Sequence, residues 1–274
     1  MVDDMQTINI EQDCALLLTA TIDPKGMPNA FPSDISQREE QYCKALKYYI
    51  ENLSRIQKII FVENSGFSLN KLTEIVRNSS NHVPKQVEFI SLNCNNYTRE
   101  FGKCYGELML IEKALEQSAY LREISYFVKV TGKLKLINLI DILKALPNGY
   151  EFYCDFKDHG WMIKRLLGNK FVKPHCDIRF FVSSINFFNS YLKTLYYGHN
   201  RGGLSGEREF YRILNAVKNY EKIMTRLPQE PNFQGIAGHS LNNYAVPKDY
   251  NSKLERNKFF IRSLIRKVFP CLHF

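Results

Sequence analysis

The cysteines and the apolar segments of this 274-residue chain form none of the patterns that mark secreted or membrane-spanning proteins. The seven cysteines are scattered and never form a CxxC pair, so we expect no disulfide framework, no structural zinc site and a reducing compartment. No apolar run approaches the roughly 18 residues of a transmembrane helix, and the acidic start MVDDMQTINIEQD does not resemble a signal peptide. These absences predict a protein of the cytoplasm or of the inner face of the cell membrane.

Several familiar catalytic motifs are also missing. The sequence has no GxGxxG after its first predicted strand and no GxxxxGK[ST], which argues against a dinucleotide-binding Rossmann site and against a P-loop. It has no GxSxG and no HExxH either, which argues against an α/β-hydrolase and a zinc protease.

The composition is that of a globular protein with a basic excess. The hydrophobic fraction of 45% and the length suit one large α/β domain, or one domain plus a small appendage. The formal net charge of +9 is compatible with nucleic acid, an anionic lipid surface or a phosphorylated substrate, and equally with a basic surface that has no dedicated partner.

Predicted strands and helices alternate through the first half of the chain. Strands are expected at 15–22, 58–62, 87–92 and 126–130, with helices at 38–54, 69–76 and about 107–118 between them. Such alternation predicts a mostly parallel central sheet with helices on both faces. In the less regular second half, strands are expected at 150–156 and 176–182, and helices at 186–195 and 207–225.

Ligands of such sheets bind beyond the carboxyl ends of the strands. Thr21 and Thr131 stand at two of these ends and are therefore candidate donor-binding residues. Glu63 and Asn64 stand at a third, where a carboxylate or an amide can bind a base or a ribose, although a simple turn explains the same residues.

Lysines mark three further candidate positions. Gly102 to Glu107 opens a helix, and Lys103 there can help to hold a phosphate. Lys129 lies inside an apolar strand, so it should pair with an acid or meet an anionic ligand, because an unpaired buried ammonium is costly. Lys133 follows a glycine, where we expect it to be accessible to a diphosphate.

Four candidates come from the second half. Asp177 and Arg179 are expected on one face of a strand, where Asp177 can ligate a metal or orient a sugar and Arg179 can clamp a phosphate; an internal ion pair is the alternative. Glu207 follows a glycine-rich loop and can act as a general base, or simply supply helix-start charge. His239 lies in a glycine-containing loop that can close over a ligand, or it is merely exposed.

The segment 251–274 combines apolar residues at helical spacing with basic ones. Phe260, Ile261, Leu264, Ile265, Val268 and Phe269 form the apolar set, and Arg256, Arg262, Arg266 and Lys267 add charge. We expect a basic amphipathic helix on an anionic membrane surface, separate from a domain spanning 1–250. The alternative is a terminal helix docked on the protein's own core.

A series of short motifs resembles a group of bacterial capsule and O-antigen glycosyltransferases. The motifs are LLLTATIDP, Asp34-x-x-x-Arg38-x-x-x-Tyr42, IFVENSG, GKCYGE, FVKVTGKLKLIN and CDIRFF, in that order, between about residue 14 and residue 245. The resemblance implies a GT-A-like fold, a nucleotide-sugar donor and a lipid-linked glycan acceptor, in the synthesis of capsule, O-antigen or lipooligosaccharide.

The resemblance also implies site residues. It extends a donor-binding role to Glu63, Asn64, Lys103, Glu107, Lys129 and Lys133. No DxD motif follows the fourth predicted strand, which departs from the general GT-A pattern. Two alternatives therefore remain. Either the site holds a manganese or magnesium ion, with Asp177 as candidate ligand, or it is metal-free and lysines neutralise the leaving diphosphate.

Two other classes remain as alternatives. A nucleic-acid-binding protein is favoured by the charge, but the basic residues gather near the C-terminus and form no stripe interleaved with aromatic residues, so we expect no nucleic-acid partner. A methyltransferase is also α/β, but the glycine-rich first loop is missing.

Overall fold

The computed structural model describes residues 13–27, 30–79, 85–157, 173–193, 206–219, 221–236, 243–244, 261, 264–266 and 268–269. The strands are β1 (Cys14–Ala20), β2 (Lys58–Glu63), β3 (Gln86–Ser91), β4 (Tyr126–Thr131), β5 (Lys135–Leu136), β6 (Phe152–Tyr153), β7 (Phe156–Lys157), β8 (His175–Cys176), β9 (Phe180–Ser184), β10 (Ile223–Met224), β11 (Phe233–Ile236) and β12 (Asn243–Tyr244). The main helices are α1 (Ile35–Asn52), α2 (Asn70–Asn78), α3 (Gly102–Gln117), α4 (Leu139–Ala145) and α5 (Gly206–Val217).

Shorter helical segments complete the described chain. Turns of 3₁₀ helix precede and follow α3, at Arg99–Phe101 and Tyr120–Glu123. A short helix, Ile185–Phe187, continues as a π-helical segment, Phe188–Leu192. Residues 261, 264–266 and 268 are also helical. Among the described residues, no helix has the length and apolar character needed to cross a bilayer.

The central sheet has seven strands in the order β10-β6-β9-β4-β1-β2-β3. The pairs β1–β2, β1–β4 and β2–β3 are parallel, and β9 runs antiparallel to both of its neighbours, β4 and β6. Every residue of β1 is buried, which explains its unbroken apolar sequence: both faces of a central parallel strand are covered. The predicted α/β class with a mostly parallel sheet is confirmed.

Helices cover both faces of the sheet, as predicted. Alternate β1 residues point to opposite sides: Leu16 and Leu18 pack in a core with residues of α1 and α4. Ala15 and Leu17 pack on the other side with residues of α3 and α5.

The second half differs from the sequence-based prediction in three places. The strand expected at 150–156 is interrupted at Cys154 and Asp155, so that β6 pairs with β9 and β7 pairs with β8. The strand expected at 176–182 is divided into β8 and β9 by a turn at Asp177–Arg179. The helix expected at 207–225 ends at Val217, because Ile223 and Met224 instead form β10 and pair with β6 at the edge of the sheet.

Candidate active site

The loop after β1 is fixed by the residues of the Asp34/Arg38/Tyr42 motif. The Asp34 side chain caps α1 by accepting a hydrogen bond from Gln37 N at 2.8 Å. The buried Arg38 guanidinium donates to the carbonyl of Thr21 at 2.9 Å and to that of Pro32 at 3.2 Å. The Tyr42 hydroxyl accepts from Thr21 N at 3.0 Å. These contacts give the motif a structural role, because they hold the rim of the site in place.

Glu63 joins the loops that follow β1 and β2. Its fully buried carboxylate accepts hydrogen bonds from the backbone N–H groups of Ile22 at 2.9 Å, Ser65 at 2.9 Å and Phe67 at 3.3 Å, and from the Ser65 hydroxyl. Both carboxylate oxygens are therefore engaged by the protein itself. Glu63 shapes the site and does not present a free oxygen to a donor molecule.

Asn64 and Asn95 lie in the loops that follow β2 and β3. The Asn64 carbonyl accepts from Cys94 N at 2.9 Å and from Asn95 N at 3.0 Å. Asn64 and Asn95 are only 1% and 7% exposed, and the side-chain Oδ1 of each is buried with no hydrogen-bond partner among the described residues. Two buried acceptors are thus left unsatisfied at this edge of the sheet.

Lys129 and Glu107 form the charged centre of the site. Lys129 is fully buried in β4, and its ammonium group binds Glu107 Oε1 and donates to the carbonyl of Ile178 at 2.5 Å. The hydroxyls of Thr19 and Thr131 each lie 3.1 Å from the same Glu107 oxygen. Of the two alternatives expected for Lys129, an acid partner or an anionic ligand, the structure shows the acid partner.

The hydrogen bonds of the Glu107 carboxylate gather on one of its two oxygens. Three donors converge on Oε1, whereas Oε2 makes no hydrogen bond to any residue in the part of the chain that the structure describes. The Glu107 side chain is 22% exposed. Within the described residues, one oxygen of a partly exposed carboxylate therefore remains without a hydrogen bond.

Asp177 and Arg179 form an internal ion pair in the turn between β8 and β9. Arg179 Nε donates to Asp177 Oδ1 at 2.8 Å, and its Nη2 binds Oδ2. The guanidinium also stacks on Phe233 of β11, with 4.5 Å from its central carbon to the ring centroid. Burial opposes ionisation of Asp177, but the Arg179 charge outweighs it and lowers the pKa of Asp177 to about 2.

Glu207 lies in the first turn of α5, within electrostatic reach of this pair. Burial raises the pKa of Glu207 above its usual value, and the charges of Asp177 and Glu107 raise it further, against the opposing effects of His175 and Arg179. Carboxylic acids with raised pKa values in a cleft are candidate acid–base catalysts. Electrostatic interactions thus connect Glu207 with Glu107 and with the Asp177–Arg179 pair, which come from separate segments of the chain.

Cys104 lies close to the same carboxylates. Burial raises the pKa of its thiol well above the usual range, and the charges of Glu107 and Glu207 raise it further. A protonated thiol is a poor nucleophile, so the arrangement favours acid–base chemistry by carboxylates over catalysis through a cysteine.

The other predicted residues have different positions. Lys133 is buried, not accessible as expected, because the loop that precedes α1 lies over it and the carbonyl of Phe31 accepts a hydrogen bond from its ammonium group at 2.6 Å. Thr21 is bound through its backbone to Arg38 and Tyr42. The side chain of Lys103 and the whole of His239 lie outside the described residues.

Sequence reasoning missed Thr19, Asn95 and Cys104. Thr19 carried a usable signal, since it is a polar residue within an apolar strand that ends beside Thr131. Asn95 carried little signal, because it is one of several asparagines in a polar loop.

The described residues do not fit the metal site considered from the sequence. Both oxygens of Asp177 are bound by Arg179. Within the described ranges, no group of three or more histidine, cysteine or acidic side chains is arranged to hold a metal ion. We therefore derive the chemistry of the site from its charged side chains.

Comparison with known proteins gives distant similarities. No protein-family model matches the chain, and no curated protein matches it either. Among solved structures, an inositol-1-phosphate CTP transferase from T. maritima is 12% identical with a TM-score of 0.48, over 93% of this chain and 97% of that one.

Two further similar structures also belong to transferases. A cytidylyltransferase from Leptospira borgpetersenii is 11% identical with a TM-score of 0.42, over 77% of this chain and 74% of that one. A core-mannan synthase from Aspergillus fumigatus, solved in a Mn/GDP form, is 10% identical with a TM-score of 0.44, over 81% of this chain and 76% of that one.

Proposed function

We propose that this protein is a glycosyltransferase that moves a sugar from a nucleotide-sugar donor to a lipid-linked glycan acceptor, in the synthesis of capsule, O-antigen or lipooligosaccharide. The observation that carries the proposal is the convergence of Glu107, Arg179 and Glu207 beyond the carboxyl ends of β1 and β4, where open α/β sheets bind ligands. The motif resemblance and a GT-A-like interpretation of the sheet agree with it.

Glu207 is the proposed general base. Its raised pKa makes the ionised carboxylate a stronger base than an ordinary glutamate. It removes the proton from the acceptor hydroxyl as that oxygen bonds to the sugar carbon, while the bond from this carbon to the donor phosphate oxygen breaks. The proton ends on Glu207 and the electron pair leaves with the nucleoside diphosphate.

Arg179 and Glu107 have complementary roles in this proposal. The Arg179 side chain is partly exposed, and its charge stabilises the negative charge that develops on the leaving phosphate. Glu107 Oε2 accepts a hydrogen bond from a sugar hydroxyl of the donor. Lys129 acts as a positioning residue, because it orients Glu107 and is itself fully buried.

The test is a comparison of two glutamates at the start of α5. Glu207→Gln should lose at least 100-fold in sugar transfer and still bind the donor nucleotide in a thermal-shift assay. Glu209→Gln is the matched control, because Glu209 pairs with the exposed Arg212 on the helix surface; it should retain activity. Equal activity of both variants would remove Glu207 from the mechanism.

We also propose that the protein acts on the inner face of the cell membrane, through the C-terminal segment. Four apolar side chains there, Ile261, Leu264, Val268 and Phe269, are each at least half exposed. Exposed apolar residues clustered on one helix are typical of partner or membrane surfaces, and the net charge of +9 suits anionic lipid.

One part of the sequence-based expectation for this segment is wrong. Arg266 is not available to lipid: it is buried, with its Nη1 and Nη2 bound to Asp155 at 2.9 and 2.7 Å and its Nη1 donating to the carbonyl of Leu227 at 3.0 Å. The Arg266–Asp155 ion pair therefore attaches the helix to the rest of the protein. The four apolar side chains named above remain exposed to solvent.

Point variants test the membrane proposal without removing this attachment. Leu264→Asp combined with Val268→Asp should abolish co-sedimentation with vesicles containing phosphatidylglycerol. Ile137→Asp is the matched control, because Ile137 is also an exposed apolar residue, on another surface; it should sediment like the wild type. Undiminished sedimentation of the double variant would contradict the proposal.

A further inference from the structure

Three aromatic side chains gather where the loop after β3 leads into α3. Tyr97 lies in this loop, Phe101 ends the 3₁₀ turn before α3, and Tyr105 lies in the first turn of α3. The Tyr105 ring centroid is 4.8 Å from that of Tyr97 and 4.9 Å from that of Phe101, with interplanar angles of 53° and 47°. These three residues are called the aromatic cluster below.

The aromatic cluster adjoins the proposed donor site through Gly106. The Tyr97 hydroxyl lies against the backbone of Gly106, so closely that a methyl group at this position would collide with it. A larger residue at position 106 would therefore displace the Tyr97 ring. Because Gly106 directly precedes Glu107 in α3, the aromatic cluster lies beside the carboxylate that the site uses.

The rings of the aromatic cluster keep part of their surface exposed. Tyr97, Phe101 and Tyr105 are each only partly buried. Tyr105 packs against the core on the α3 side of the sheet, whereas Tyr97 and Phe101 belong to neither of the two hydrophobic cores that the described residues form. Aromatic rings that remain accessible beside a ligand site offer a π surface on which a planar group can stack.

A series of contacts fixes which groups adjoin Glu107. The Lys129 ammonium group binds Glu107 Oε1 and donates to the carbonyl of Ile178, the residue before Arg179. Glu107 is thus connected to the Arg179 turn through Lys129, and to the aromatic cluster through Gly106. A cation, a carboxylate and aromatic rings follow one another, and these are the groups that complement the diphosphate, the ribose and the base of a nucleotide.

We propose that the aromatic cluster is the subsite for the base of the donor nucleotide, and that Glu107 Oε2 accepts a hydrogen bond from the ribose. The inference deepens the proposed use of a nucleotide-sugar donor and rests on it. Stacking uses the π face that every base possesses, so it contributes affinity without depending on the identity of the base. Every nucleoside diphosphate that binds should therefore depend on these rings.

Calorimetry of Phe101→Ala tests the subsite. The probes are UDP, CDP, GDP, ADP and dTDP, together with inorganic pyrophosphate, which has a diphosphate but no base. The variant should bind the tightest of the five nucleotides roughly 10- to 100-fold more weakly than the wild type does, and should bind pyrophosphate equally well.

The outcomes of this titration distinguish the subsite from the proposed function. Unchanged nucleotide affinity of Phe101→Ala, or an equal loss for pyrophosphate, would overturn the base assignment and leave the proposed glycosyltransferase intact. If the wild type binds none of the five nucleotides, the proposed donor is rejected and this inference with it.

Phe101→Trp separates stacking from folding. This variant keeps an aromatic face and should keep the nucleotide affinity of the wild type. Its indole fluorescence should fall on addition of the nucleotide, because a stacked base quenches it, and the wild type, which has a single tryptophan, supplies the background. A fluorescence change no larger than this background would overturn the inference, since it would show that no base reaches the ring.

Tyr120→Ala is the matched control for the loss of an aromatic ring. Tyr120 follows the other end of α3, is also partly exposed, and has the Lys58 Nζ 5.8 Å from its ring centroid. This variant should keep the nucleotide affinity of the wild type. An equal loss of affinity in Tyr120→Ala and Phe101→Ala would overturn the assignment, because the effect would then not be specific to the aromatic cluster.

Discussion

Replacing Lys129 with methionine tests the charged centre of the site most directly. Methionine preserves the length and most of the volume of the side chain but removes the ammonium group. Glu107 would then keep only the hydroxyls of Thr19 and Thr131, each 3.1 Å from Oε1. The carbonyl of Ile178 would also lose its 2.5 Å contact with the ammonium group.

The expected loss of stability follows from the burial of the two partners. Removing one partner of a buried ion pair typically costs about 3–5 kcal/mol, because the other charge is left uncompensated. Glu107 is 22% exposed and keeps two donors, so the lower end of the range, about 3 kcal/mol, applies to Lys129→Met. In the double variant with Glu107→Gln no charge is stranded, and the loss should fall to about 1 kcal/mol.

Urea unfolding followed by circular dichroism measures these differences. The matched control is Lys58→Met, because Lys58 also lies in a strand and pairs with a carboxylate, Glu123, but the carboxylate is 62% exposed; the expected loss is below about 1 kcal/mol. If Lys129→Met is as stable as the wild type, or if the double variant is less stable than Lys129→Met, the described ion pair does not hold this site together.

Three further outcomes are expected. Asp177→Asn should lower the pKa of Glu207, measured by NMR titration of labelled glutamate, because it removes a negative neighbour; an unchanged or higher pKa would contradict the assigned cause. Arg266→Met should cost about 3 kcal/mol at neutral pH. Burial alone would raise the pKa of Asp155, but Lys157 and Arg266 keep it low. The difference in unfolding free energy between the wild type and Arg266→Met should therefore shrink as the pH falls below about 4, where the carboxylate of the unfolded chain is protonated. A constant difference down to pH 2 would argue against the ion pair. Gly132→Ala places a methyl carbon 2.7 Å from a backbone oxygen of β1 and should lower the melting temperature, and an unchanged value would contradict this close approach.

The sheet could be predicted from the sequence because its strands carry their own signal. Continuous apolar runs such as that of β1 reflect burial on both faces, and this follows from composition alone. Lys129 could be interpreted for the same reason, since a charge within an apolar strand requires a partner. The partner itself, Glu107, could be included among the site residues only from the resemblance, because the pair depends on how α3 packs over the sheet.

Features that depend on long-range packing could not be predicted. Lys133 looked accessible beside Gly132, but the loop that precedes α1 folds over it and its ammonium group binds the carbonyl of Phe31. Arg266 looked like part of a basic helix surface, but its partner Asp155 is 111 positions away in sequence. Local patterns carry no information on such pairings, so the accessible or buried state of a single cation cannot be derived from them.

Asp155 connects the C-terminal helix to the proposed active site. Its carboxylate binds Arg266, and its backbone carbonyl accepts a hydrogen bond from Asp177 N at 3.0 Å. A single residue, Asp155, therefore links the C-terminal helix to the turn that carries Arg179. If the helix lies on a membrane as proposed, this attachment holds the turn near the lipid surface, where the reactive end of a lipid-linked acceptor would be found. A buried ion pair suits this purpose better than an apolar contact, because its bidentate geometry fixes the orientation of the helix while its apolar side chains remain free for the bilayer.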